Sequence, residues 1–149
     1  MGGELIGGFV MSEQRKWQSI EDFEMFKELE KLCDEIWDVV MTWNSFARDT
    51  VGNQLVRSAD SAGSNLSEGD GRYHHKETLN FYYISRGSLK EACYWIRRAR
   101  ARRLMTTEQA NHFLSRFESV RRWINSLISQ RRQWMTEVRE EPEEYGAGH

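Results

Sequence analysis

From Ile20 to Phe46 the chain reads IEDFEMFKELEKLCDEIWDVVMTWNSF, with apolar residues at Ile20, Phe23, Phe26, Leu29, Cys33, Ile36, Trp37, Val40, Trp43 and Phe46. Steps of three and four sustained over this length describe one long amphipathic helix with a single apolar face. Ser19 stands where a helix N-cap belongs, and Glu21, Asp22 and Glu24 suit the positive end of the helix dipole. The stretch from Arg48 to Asn53 breaks the period, punctuated by Gly52 and Asn53.

Three more helices follow from the same reading. One runs from about Gln54 to Glu68 with Leu55, Ala59, Ala62, Gly63 and Leu66 on one face, small residues that let a neighbour approach closely. Gly69-Asp70-Gly71 ends it as a C-cap and turn. The next spans roughly Lys76 to Arg103 and turns Leu79, Tyr82, Leu89, Ala92, Trp95, Ile96 and Ala99 inward. Gly87 inside it costs about 1 kcal/mol against alanine, which implies a packing reason. Thr106 and Gln109 form a capping box for the last helix, which carries Phe113, Phe117, Val120, Ile124, Leu127 and Ile128 toward Trp134. Four helices with short connections predict an all-α, up-and-down antiparallel four-helix bundle over residues 19–135. A flexible leader is expected at 1–18, and an acidic, disordered tail at 136–149.

Composition agrees with this fold class. The 149 residues include a single proline, Pro142, and most of the 11 glycines fall outside the periodic stretches, whereas turn-rich β architectures need such residues throughout. One domain of this size, 39% apolar and 12% aromatic, is neither disordered nor a disulfide scaffold. Cys33 and Cys93 have no CxxC spacing and read as reduced, buried thiols. The opening MGGELIGGFVMSEQRK lacks a basic region and a long apolar run, so a cytoplasmic protein with no membrane span is expected.

The net charge of -2 conceals a segregation. Residues 1–71 carry 6 basic and 14 acidic side chains, residues 72–132 carry 14 and 4, and residues 133–149 carry 1 and 5. Of the 14 basic residues in the middle block, 12 are arginine, whose planar fork suits phosphate oxygens. Arg97, Arg98, Arg100, Arg102 and Arg103 crowd the end of the third helix, below a stripe of Arg86, Lys90 and Arg97, and Arg121 and Arg122 stand on the fourth. With Tyr94, Trp95 and Trp123 nearby, this surface reads as a nucleic-acid platform. It reads equally as one half of a charge complementarity, since the first helix carries Glu21, Asp22, Glu24, Glu28, Glu30, Asp34, Glu35 and Asp38. Both readings stay open, and with them a contact for a protein partner.

Little in the sequence proposes catalysis. His74 and His75 are adjacent and face different ways on a helix, His112 and His149 are isolated, and no HExxH or Glu-x-x-His pair is present. The GDGR segment lacks the length and the Lys-Ser/Thr of a phosphate loop. A non-enzymatic protein without metal or cofactor is expected.

The segment QLVRSADSAGSNLSEGDGR, residues 54–72, resembles the signature of the bacterial four-helix-bundle proteins encoded in intervening sequences of ribosomal RNA genes. That family includes the accessory variability determinant of diversity-generating retroelements. Gln54, Leu55, Arg57, Asn65, Glu68, Gly69, Gly71 and Arg72 match its pattern, while Ser58, Leu66 and Ser67 depart from it. Phe81 and the run Gly87-Ser88-Leu89-Lys90-Glu91 resemble its second element. The resemblance implies a homopentameric barrel and, in the retroelement branch, binding of RNA or DNA and of a reverse transcriptase. The signature residues themselves read as structural: Arg57 is placed to meet Glu91 in an internal ion pair, Asn65 and Glu68 to bind the backbone of the turn, and Arg72 to tie that turn down.

The expectation is therefore a ring-like homo-oligomer, since Trp17, Trp43, Trp123 and Trp134 offer more aromatic surface than one small bundle buries. Its function is expected to be that of an adaptor for nucleic acid, RNA foremost, bound by Arg97, Arg98, Arg100, Arg102, Arg103, Arg121 and Arg122. The alternative is a protein-binding or structural oligomer with no nucleic-acid affinity.

Overall fold

A computed structural model describes residues 18–140, and among them there is helix and turn but no strand. The four long elements are α1 (Glu24–Met41), α2 (Asn53–Asp70), α3 (His75–Ala101) and α4 (Thr107–Glu140). The leader through Trp17 and the tail from residue 141 lie outside the described residues; residues 136–140, expected as tail, continue α4.

The opening stretch does not form one helix to Phe46. Ser19 leads into a single 3-10 turn, Ile20–Asp22, without capping it through its side chain, and Phe23 is the N-cap of α1. Buried Phe26, Leu29, Leu32, Ile36 and Val40 form the inner face, and α1 stops at Met41. There the Thr42 hydroxyl donates to the Val39 carbonyl (2.6 Å), and Asn44 starts a new turn by accepting from the Ala47 amide (3.0 Å). The change of direction buries Trp43 and leaves Phe46 78% exposed. The residues expected to break the pattern, Arg48–Gly52, instead form a π-helical turn that runs straight into α2. Gly52 is what lets that wider turn meet α1, because a Cβ there would lie 2.6 Å from Cγ1 of Val40.

The small-residue face of α2 behaves as its composition predicts. Leu55, Ala59, Ala62 and Leu66 are fully buried, and α3 comes close enough for Ser85 to donate to the Ala62 carbonyl (2.6 Å). At the lower end a Cβ on Gly69 would sit 2.8 Å from that of Phe81, so Gly69 serves close approach as well as the turn. Gly71 caps α2 in an ordinary right-handed conformation. Gly87 has no packing reason, since a Cβ there meets nothing within 4 Å. The Thr106–Gln109 box forms in both directions: the Gln109 side chain accepts from the Thr106 amide (3.0 Å) and the Thr106 hydroxyl from the Gln109 amide (3.1 Å).

The helices close as a bundle, α1 packing on α2 and α4, and α3 on the same two. Pairing of Arg116 with Glu28 and of His112 with Glu35 sets α4 antiparallel to α1. The core ends at Ile128, and the described side chains of α4 beyond it are half-buried or exposed.

Candidate nucleic-acid interface

The arginine run occupies the last turn of α3 and the turn after it. Arg98 and Arg100 suit the negative end of the helix dipole there. The helix closes through a Schellman arrangement in which the Arg103 amide donates to the Arg100 carbonyl (3.0 Å) and the Leu104 amide to the Ala99 carbonyl (2.8 Å). Arg103 holds the left-handed position of that motif, φ 62°, where glycine is usual. The run is therefore displayed on a tight, defined end and not on a loose loop.

Among the described residues, carboxylates engage three of the arginines. Arg116 bonds Glu28 (2.7 Å), Arg121 grips both oxygens of Glu118, and Arg72 bonds Glu68 (2.6 Å). The Glu118 carboxyl is accordingly held below its usual range, chiefly by the hydrogen bond from Arg121. Arg97, Arg98, Arg100, Arg102, Arg103 and Arg122 have no carboxylate partner among the described residues. Arg97, Arg102, Arg103 and Arg122 are exposed, whereas Arg98 and Arg100 are half-buried. The Arg98 guanidinium lies 5.9 Å from the Tyr94 ring centre, and its Nε is sealed from solvent without a hydrogen-bond partner.

Two of the expected contact residues come together from different helices. Arg97 of α3 and Arg121 of α4 face one groove, with Cys93 between them and Lys90 one turn below. Lys90, already part of the basic stripe, and Cys93 thus join the expected contact residues. Their signal was in the sequence, since Lys90 and Arg97, like Leu114 and Arg121, are seven apart and share a helix face.

Some of the signature residues make the contacts expected of them and others do not. Arg57 and Glu91 do not pair: Arg57 lies in a shallow groove with Trp37, Met41 and Val56, and Glu91 accepts a long bond from the Trp95 indole (3.5 Å). Asn65 bonds back up its own helix, to the Ser61 carbonyl (2.8 Å) and hydroxyl (2.9 Å), not to the turn. Glu68 holds Arg72, whose guanidinium also covers the Phe81 ring at 4.8 Å, so the turn is tied down as expected. Thr78 adds a bond to the Gly69 carbonyl (2.9 Å). Gln54 is exposed in the first turn of α2.

The remaining polar chemistry is modest. Both cysteines are free and half-buried; burial and the neighbouring Asp60 push the Cys33 thiol up to about 12, and burial raises Cys93, so neither is a thiolate nucleophile at neutral pH. His112, isolated in the sequence, bonds Glu35 of α1 at 3.0 Å. Among the described residues no group of three His, Cys, Asp or Glu could hold a metal, and no helix is long and apolar enough to cross a membrane.

The motif and the bundle converge in the comparison with known families: residues 21–126 match the 23S rRNA-intervening sequence protein family. The chain belongs to that family. A solved structure from Bacteroides thetaiotaomicron, described as a protein of unknown function from the S23 ribosomal protein family, shares its fold with a TM-score of 0.63. The two are 17% identical, and the match covers 70% of this chain and 97% of the other. No curated protein matches. For this 23S rRNA-intervening sequence protein, the matched span takes in α1 to α3, the whole arginine run and Arg121 and Arg122, and stops short of the last turns of α4.

Proposed function

We propose that this protein is a non-enzymatic, oligomeric adaptor that binds nucleic acid, most readily RNA, through the arginine-rich end of α3 and the adjoining surface of α4. One observation carries the reading: five arginines lie within seven positions, and none has a carboxylate partner among the described residues, whereas Arg72, Arg116 and Arg121 are paired. Guanidiniums left in this state favour an external polyanion. Self-association would multiply a modest patch by avidity. The family resemblance supports a homopentameric ring as its form and, as protein partner, the reverse transcriptase of a diversity-generating retroelement.

A second reading, a structural or protein-binding oligomer without nucleic-acid affinity, draws on Arg116–Glu28 and His112–Glu35. These pairs spend part of the charge complementarity inside one bundle, and the remainder could serve contacts between bundles. The test replaces Arg97, Arg98, Arg100 and Arg102 with glutamine and measures RNA affinity at two salt concentrations, with light scattering to follow assembly. Loss of affinity and a shallower salt dependence in an intact oligomer support the adaptor. A parent protein that binds no RNA even at low salt selects the second reading, and affinity and slope left unchanged by the substitutions take these arginines out of the RNA contact.

A further inference from the structure

The groove between α3 and α4 combines charge with an apolar wall. It encloses about 500 Å³, within the range of small-ligand sites. Lys90, Arg97 and Arg121 supply three cations, against one carboxylate, Glu118, that Arg121 already engages. The half-buried side chain of Leu114 and thiol of Cys93 form the accessible wall, with the fully buried Leu89 and Phe117 behind them. Burial keeps that thiol protonated even though Arg97 and Arg121 pull the other way, so no second anion competes within the groove. Tyr94, 48% exposed, stands one turn before Arg97 and Arg98.

We propose that this groove takes one unstacked nucleotide of a single-stranded RNA, its base against Leu114 and Cys93 and its phosphate between Lys90, Arg97 and Arg121. The inference rests on the nucleic-acid reading above and narrows it. Phosphates on the outside of a duplex reach exposed arginines without entering a concavity, so an apolar recess adds nothing to duplex binding. A single strand can turn a base out of its stack, and the recess then removes apolar surface from water while the rim neutralises the backbone.

The Cys93 thiol provides the measurement. Cys93 lies in the proposed site, while Cys33, in the separate α1–α2 groove beside Asp60, is too weakly acidic to react appreciably, so modification reads Cys93. The full chain is treated with a small thiol reagent alone, with a short oligouridylate, and with a duplex RNA of equal length. Oligouridylate should slow modification of Cys93 by about tenfold, while bound duplex leaves its rate unchanged. The Arg97→Gln variant, checked for native helicity and assembly, should lose the protection. Binding of both RNAs with Cys93 unprotected, or protected equally by the duplex, overturns the groove assignment and leaves the adaptor reading standing. Failure of both RNAs to bind at low salt overturns both.

Discussion

Arg131 donates from Nη1 to Nδ1 of His75 across 2.6 Å, and Trp134 packs on the same imidazole with ring centres 4.0 Å apart. Arginine can only donate, so Nδ1 accepts and His75 is neutral, with its proton on Nε2. This contact joins the start of α3 to the part of α4 that runs past the core. Burial, then the charge of Arg131 and then that of His74, hold the His75 pKa below its ordinary 6.5.

The sign of the resulting pH dependence follows. The folded state binds the His75 proton less readily than the unfolded state does, so its contribution is complete above about pH 6.5 and is lost as pH falls through the lowered folded value. Thermal unfolding should occur at lower temperature at pH 5 than at pH 7.5. His75→Phe, which keeps a ring against Trp134, should narrow that difference relative to the parent protein. An unchanged difference would show that carboxylates such as Glu21, whose pKa is lowered by bonds from Ser19 and Ser67, account for all of it.

Two glycine-to-alanine changes should move stability in opposite directions. At Gly69 the added methyl would lie 2.8 Å from Cβ of Phe81 and 3.3 Å from the Thr78 carbonyl, which costs about 1–3 kcal/mol. At the exposed Gly87 it meets nothing within 4 Å, and the gain in helix propensity is about 1 kcal/mol. Denaturant titration of both variants gives the two signs directly.

Arg103 holds a conformation that L-residues adopt at a cost of about 1 kcal/mol. Arg103→Gly should stabilise the fold by a similar amount while weakening RNA binding and flattening its salt dependence. A variant that gains stability and keeps full RNA affinity would remove Arg103 from the contact surface.

Self-association should depend on the apolar residues exposed where α1 ends. Trp37 is 54% exposed and Met41 48%, both lining one groove at the end of α1, and Phe46, 78% exposed, follows the Asn44 turn. The double change Trp37→Ser and Phe46→Ser removes little from the core, so helicity should persist while light scattering reports a smaller particle. An unaltered particle size would place the interface elsewhere.

Helix existence and the inner faces of α2, α3 and α4 were legible in the residues, because apolar spacing is a local property that a few turns of chain display. The same holds for the capping box at Thr106 and for the crowding of arginines at the end of α3. Local pattern misled at Trp37 and Phe46, which keep the helical period. Trp37 lies at the edge of the inner face, and Phe46 follows a break that the Thr42 and Asn44 bonds impose. Partners were a different matter. Arg57 and Glu91 looked matched in sequence yet do not meet, while His75 and Arg131, 56 residues apart, do. The sequence by itself determined the helices, their inner faces and the segregation of charge; the rotation of each helix about its axis and the register between helices decided which side chains meet. Those two quantities depend on contacts such as Gly69 against Phe81 and Gly52 against Val40, and so only the packed tertiary structure could assign Arg97 and Arg121 to one groove and Arg116 to Glu28.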